Sequence, residues 1–308
     1  MNGEDFRKDK GMVKRQFGRY SVNVTNEEKQ FFPGGVTKGD VIEYYRNIAE
    51  HLLPYTRERP AVMQRFPDGI EGEGFYQKEV PDYFPSWVKR AEVDVRENGR
   101  ESLVVCGNAA TLVYLANQGC VALHVWLSRA ERPERPERIV FDLDPPGGGF
   151  NAAKQGALDL RDLLTELDMS CFVKLTGSRG VHVEVPIRRQ YSFDEVRNYA
   201  RRVAEHLSRS HPGHYTVEQR KDRREGRLFI DYLRNAYAQT TVAPYSLRPL
   251  QGAPVASPLD WDELEGIDSS GRYTIHNIFR RLSHRDDPWE EYASLRQGID
   301  TEKLKNLS

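Results

Sequence analysis

At 308 residues the chain can bury one large core or two smaller ones, and 45 Lys+Arg against 46 Asp+Glu leave a formal net charge of -1, so no global charge advertises a nucleic-acid or membrane partner. The three cysteines, Cys106, Cys120 and Cys171, have no CxxC spacing, which argues against a disulfide framework or a zinc knuckle and fits a reducing compartment. No apolar run approaches the roughly 18 residues of a membrane span and the N-terminus is too polar for a signal peptide, so the expectation is a cytoplasmic protein without a membrane partner.

Residues 1 to 19 carry Arg7, Lys8, Lys10, Lys14, Arg15 and Arg19 with few apolar partners, and read as a basic arm that is either a solvated tail or a phosphate-contacting segment. Tyr20 to Val24 alternates like a strand. Residues 25 to 29 could open a helical turn before Phe31-Phe32-Pro33-Gly34-Gly35 breaks it. A helix is predicted over 37 to 53, capped by Thr37 or Asp40, with Lys29 and Lys38 flanking its entry.

Ala61 to Phe66 reads as a strand, and Gly72-Glu73-Gly74-Phe75-Tyr76-Gln77-Lys78 as a loop able to present rings beside a cation, although such pairs more often simply pack. A helix follows over 108 to 117 and a strand over 121 to 126 that carries His124.

The central stretch is Arg138-Ile139-Val140-Phe141-Asp142-Leu143-Asp144-Pro145-Pro146-Gly147. Residues two apart on a strand share a face, so Asp142 and Asp144 point the same way. Two such carboxylates raise each other's pKa unless a cation sits between them, and oxygen ligands favour Mg²⁺ or Mn²⁺ over zinc. The bland alternative is a strand ending in a solvated Asp-Pro turn.

Helical periodicity marks 152 to 167, and Cys171 to Leu175 is a strand. In Thr176-Gly177-Ser178-Arg179-Gly180-Val181-His182 two glycines free backbone N-H groups to face an anion, while hydroxyl, guanidinium and imidazole groups add donors. The pattern is not a P-loop, and a plain Gly/Ser turn is equally compatible with it. A helix over 191 to 207 precedes the densest basic patch, Glu218 to Arg227. Asp231 then stands inside the apolar run Leu228 to Leu233, where an unpaired carboxylate would be costly, and so becomes the candidate third acidic ligand. Arg234 and Arg248 supply cations nearby, and the part beyond Gln251 offers short helical stretches near 273 to 282 and 289 to 295. Together these features describe metal-dependent phosphoryl transfer.

Phe141-Asp142-Leu143-Asp144-Pro145, Thr176 to His182, and Phe229-Ile230-Asp231 followed by Thr240 to Arg248 resemble the polymerase domain of the prokaryotic DNA ligase D family, within the archaeo-eukaryotic primase superfamily. The likeness runs from about Val22 to Leu295. It implies a single α+β primase-like domain over 1 to 308 with mostly antiparallel sheets flanked by helices. It implies template-directed nucleotidyl transfer that fills gaps and extends primers at double-strand breaks, favouring ribonucleotides. The resemblance makes Asp142, Asp144 and Asp231 the catalytic acids and ligands of two Mn²⁺ or Mg²⁺ ions, and it puts His124, Thr176, Ser178, Arg179, His182, Arg234 and Arg248 around the incoming nucleoside triphosphate. Lys29 and Lys38 match lysines that grip a 5'-phosphate, Phe75 and Tyr76 an aromatic pair against the template, and Arg224 a loop that brings ends together.

Thr176, Arg179 and Tyr76 depart from the serine, lysine and phenylalanine common in the family, each keeping the donor or the ring. The implied partners are gapped or broken DNA with a 5'-phosphate, a separate ligase and Ku, and the implied location is the nucleoid. With no ligase or nuclease segment in the sequence, the expectation is a free-standing polymerase or an excised domain. Two competitors remain: a haloacid-dehalogenase-type phosphatase using Asp142 as nucleophile with Asp286-Asp287 downstream, and a non-catalytic DNA-end-binding module.

Overall fold

The computed structural model describes residues 12–95, 99–145, 147 and 149–306. It opens with a hairpin of β1 (Met12–Phe17) and β2 (Tyr20–Thr25). Residues 12 to 17 of the expected basic arm are thus a paired strand: alternation in β2 buries Val22 and Val24, and Arg15 ion-pairs with Glu27 and, at 2.9 Å, with Glu43. Arg7, Lys8 and Lys10 lie outside the described residues.

A ribbon of β3 (Gln30–Phe32) and β4 (Val36–Thr37) leads into α1 (Lys38–Asn47). A reciprocal cap starts that helix: the Thr37 hydroxyl accepts from the Asp40 amide at 3.2 Å and an Asp40 oxygen accepts from the Thr37 amide at 2.8 Å. The single helix expected over 37 to 53 is broken at Ile48, after which α2 (Ala49–Thr56) begins. Pro54 lies inside α2, where it has no N-H for the Glu50 carbonyl, so this second helix runs to Thr56 with one bond missing.

Then follow β5 (Pro60–Arg65), β6 (Phe75–Gln77), β7 (Arg90–Val95), β8 (Gly99–Val105), α3 (Ala109–Asn117), capped by Asn108, and β9 (Cys120–Trp126). The second half runs β10 (Arg138–Asp144), α4 (Phe150–Glu166), β11 (Phe172–Leu175), β12 (Val181–Pro186), α5 (Phe193–Ser210), β13 (Tyr215–Thr216), β14 (Leu228–Asp231) and β15 (Thr240–Val242). It closes with β16 (Pro258–Leu259), α6 (Trp261–Glu265), α7 (Ile278–Leu282) and α8 (Thr301–Asn306).

Besides the two-stranded β1-β2 and β3-β4 pairs, two larger sheets form, one ordered β13-β14-β10-β12-β11-β16 and the other β15-β9-β5-β8-β7 with β6 added on β5. Every pairing within them is antiparallel except β13 with β14. The architecture is α+β with mostly antiparallel sheets, as the sequence implied. The apolar stripes of α4 and α5 (Leu160, Leu164, Val196, Val203) cover Phe141, Leu143 and Val183 of the first sheet, while α1 and α3 cover Met63, Val121 and Leu123 of the second. Burying each such side chain contributes roughly 1.5–3 kcal/mol, enough to fix which face of β10 the helices take. The opposite face of β10 carries its polar residues. Among the described residues no helix is long and apolar enough to cross a membrane.

Candidate active site

Strand pairing brings the distant acids together. Asp142 on β10 stands opposite Asp231 on β14 and opposite His182 on β12, and His182 stands opposite Lys174 on β11. One row across four strands therefore reads Lys174, His182, Asp142, Asp231, with Asp144 two residues along β10 on the same face. The Arg234 Nε lies 3.4 Å from an Asp142 oxygen and 3.7 Å from an Asp231 oxygen, so one guanidinium bridges both carboxylates. His182 Nε2 is 3.4 Å from the other Asp142 oxygen, and Arg179 reaches Asp144 at 3.4 Å.

Charge follows from this arrangement. Burial pushes the Asp142 carboxyl up, but His182 and Arg234 outweigh it and hold it at about 2. Burial and the Asp142 charge push Asp231 up, although its Oδ1 accepts the Leu233 amide at 2.7 Å. Paired carboxylates that need a cation between them are the donor set suited to a hard divalent ion, and Arg234 stands in for such a charge. Among the described residues, no three acidic, imidazole or thiol groups are already drawn together as a metal cage.

Above this row lies a cleft of about 290 Å³ lined by Tyr76, His124, Asp142, Asp144, Thr176, Ser178, Arg179, His182, Arg234, Thr240, Thr241, Val242 and Arg248. Its loop depends on two glycines. Gly177 has φ +68, and a Cβ there would lie 2.8 Å from Arg248 Cγ and 2.9 Å from the Val255 backbone. A Cβ on Gly180 would lie 2.3 Å from the Leu143 carbonyl oxygen. Thr176 turns inward: its hydroxyl donates to the Gly180 carbonyl at 3.1 Å and shapes the loop.

Several polar atoms on the cleft wall are buried with no partner, namely His124 Nε2, His182 Nδ1, Thr241 Oγ1 and Arg248 Nε. Buried polar groups are ordinarily hydrogen-bonded, so four around one cleft mark a surface made for a polar ligand. Burial, with the charges of Arg248 and Arg234, lowers the His124 imidazole to about 3, so it is neutral at physiological pH.

Of the remaining predicted residues, Tyr76 lines the cleft, whereas Lys29, Lys38, Phe75 and Arg224 are not among its lining residues. The Lys38 amide bonds the Lys29 carbonyl at 2.7 Å, bringing the two lysines together at the start of α1. Lys29 Nζ reaches the Pro67 carbonyl at 2.8 Å and Asp68 at 2.5 Å, while Lys38 Nζ donates to the Thr25 carbonyl at 2.6 Å. Burial and the Lys29 charge lower Lys38 to about 8, against the opposing effect of Glu27. Phe75 and Tyr76 are 44% and 59% exposed. Arg224 folds back onto its own loop, donating to the Glu218 and Gln219 carbonyls and lying 4.0 Å over the Phe229 ring. Asp287 bonds the hydroxyls of Tyr55 and Tyr245 and does not line the cleft, so the acidic partner the phosphatase alternative requires does not meet Asp142 here.

Two features escaped the sequence reading. Thr240, Thr241 and Val242 form one wall of the cleft. Beneath it, fully buried Lys174 donates to Glu184 at 2.8 Å and to the Val242 carbonyl at 2.8 Å, while Arg138 and Tyr292 hold the other Glu184 oxygen at 3.2 and 2.8 Å. A charge in the middle of an apolar strand, the signal that exposed Asp231, was present at both Lys174 and Glu184.

A family model described as "LigD, primase-polymerase domain" matches residues 37–289. The chain is similar to the multifunctional non-homologous end joining protein LigD of Pseudomonas aeruginosa, with 33% identity over 293 residues, covering 93% of this chain and 34% of that protein. The corresponding protein of Mycolicibacterium smegmatis is 35% identical over 286 residues, 91% of this chain and 36% of that protein. The chain thus spans about a third of the length of these relatives. Among solved structures, the polymerase domain from Mycobacterium tuberculosis Ligase D in complex with DNA superposes with a TM-score of 0.83 at 30% identity, covering 90% of this chain and 99% of that one.

Proposed function

The chain belongs to the LigD primase-polymerase domain family, and from that premise we propose that it is a template-directed nucleotidyltransferase that fills gaps and extends primers at DNA breaks during non-homologous end joining. The observation carrying this reading is the meeting of Asp142, Asp144 and Asp231 beside a cleft whose other wall is cationic and holds unpartnered buried donors. In the reaction a primer 3'-hydroxyl attacks the α-phosphorus, a new phosphodiester forms, and pyrophosphate leaves.

Asp142, Asp144 and Asp231 would hold two divalent ions, Mn²⁺ or Mg²⁺. Bound there, such ions supply charge neutralisation at the reacting phosphate. Arg179, Arg248 and the Thr176–Gly180 loop grip the triphosphate, and Arg234 balances the acids when the nucleotide is absent. His124, neutral at physiological pH, and His182 orient the nucleotide by hydrogen bonds. The buried, unpartnered Thr241 hydroxyl is a group able to read a 2'-hydroxyl, which supports a preference for ribonucleotides.

Lys29 and Lys38 at the start of α1 bind the 5'-phosphate across a gap, Phe75 and Tyr76 meet the template, and Arg224 shapes the loop that brings ends together. The DNA partner carries gaps or broken ends, and a ligase activity with Ku completes the join in the cytoplasm at the nucleoid. Incubation with a 5'-phosphorylated gapped duplex, Mn²⁺ and labelled nucleotides tests the proposal. Template-dependent extension supports it, whereas phosphate release or a mobility shift without extension refutes it.

A further inference from the structure

Strand alternation sends the two exposed rings of β6 to opposite faces. Tyr76, opposite Gln64, meets His124 edge-on with centroids 5.5 Å apart and lines the cleft. Phe75, opposite Arg65, turns the other way and lies 5.5 Å from the Arg65 guanidinium.

Arg65 is buried, and its donors go to the Gln118 carbonyl at 2.8 Å, to the Gln77 side chain and to the Tyr83 hydroxyl at 3.1 Å. Tyr83 meets Phe84 edge-on at 5.2 Å and is nevertheless 61% exposed, more than either ring of β6. One buried cation thus fixes two rings that face solvent. Holding large rings at an exposed position forgoes much of their burial and costs rotamer freedom, which the contacts with Arg65 and Phe84 offset only in part.

Two residues beyond Arg65 in the chain, the Pro67 carbonyl accepts from Lys29, one of the lysine pair assigned above to the 5'-phosphate. Exposed Lys89 and Arg90 follow Tyr83 in the chain, and Arg90 bonds the Phe84 carbonyl at 3.2 Å. Fixed rings beside cations are what single-stranded nucleic acid stacks on.

We propose that Tyr83 and Phe75, positioned by Arg65, form a second stacking platform on the side of β6 turned away from the cleft, which takes an unpaired template base beyond the position being copied. The proposal rests on the polymerase reading of the cleft. It makes β6 a ridge over which the template passes, Tyr76 serving the cleft side and Tyr83 with Phe75 the far side.

The test is a titration without nucleotide or divalent ion, using 5'-phosphorylated gapped duplexes with a one- or a four-nucleotide gap and 2-aminopurine at the second unpaired template position of the longer gap. The parent protein is expected to quench the 2-aminopurine. Tyr83→Ala should sharply reduce the quench and weaken the four-nucleotide gap by about 5- to 150-fold, the range base–aromatic stacking spans, with the one-nucleotide gap unchanged. Tyr83→Phe keeps the ring and should stay close to the parent.

Parent-like binding of both gaps by Tyr83→Ala, which would leave the platform to a protein partner, overturns the proposal. Equal weakening of both gaps overturns it as well. Because no chemistry occurs in the titration, a protein that stacks through Tyr83 but never extends a primer refutes the polymerase reading alone.

Discussion

Lys174→Met removes a charge that is fully buried and bonded to both sheets. Breaking a buried ion pair by deleting one partner costs about 3–5 kcal/mol, because the surviving charge stays in the interior. The Val242 carbonyl, losing its donor, adds about 1–3 kcal/mol. Against this, Arg138 and Tyr292 still hold one Glu184 oxygen, so the net loss should be about 3–5 kcal/mol.

Urea unfolding at pH 7 reads that loss as a lower midpoint. Adding Glu184→Gln removes the stranded charge and should recover part of it, which the double-mutant cycle isolates. The pair also carries an acid dependence. Burial pushes Glu184 up, but Lys174 and Arg138 outweigh it and hold it at about 2. Its folded value therefore lies below the unfolded one near 4.3, and its contribution is complete above about pH 4.3 and lost as pH falls toward 2. The double variant should show a shallower fall of stability over that window. A Lys174→Met loss below about 1 kcal/mol would refute the reasoning, since it would mean the interior tolerates the unpaired carboxylate.

Two other predictions concern ionisation at the cleft and at the lysine pair. Lys38, lowered to about 8, should lose its proton as pH rises, so preference for a 5'-phosphate over a 5'-hydroxyl in gapped-duplex binding should decline between about pH 7 and 9. A preference that is flat across that range contradicts its role. His124 folds as a neutral imidazole with a pKa of about 3, so protons favour the unfolded chain and stability should fall as pH drops below about 6.5. His124→Asn should flatten that slope in acid-titrated thermal melts, and an unchanged slope would show that other groups dominate.

How much could be read beforehand differs by residue. Asp142 and Asp144 were legible because strand periodicity alone gives them a common face, and Asp231 because a carboxylate inside an apolar strand needs a reason. Their meeting across the polymer required antiparallel pairing of β10 with β14, which only coordinates supply.

Lys174 and Glu184 carried the same signal as Asp231, but their strands sit beside a glycine-rich loop that drew the reading toward the loop. Val181 to Pro186 was not recognised as a strand for the same reason. Its role is central, because β12 carries His182 to Asp142. The β7–β8 hairpin and the break at Ile48 were also missed, the former because charged residues dilute its alternation and the latter because helical periodicity continues across the break. Phe75 and Tyr76 were read as one pair, although the alternation used for the two aspartates sends them to opposite sides of β6.

The most direct test of the account measures primer extension and phosphorylated gapped-duplex binding side by side for Asp142→Ala and Asp231→Ala. If the carboxylates facing each other across β10 and β14 act as a unit on the reacting phosphate, each variant should lose template-dependent extension while binding the duplex about as well as the parent, because phosphate contacts elsewhere set that affinity. Extension that survives Asp231→Ala, or binding that disappears together with activity in both variants, would contradict it.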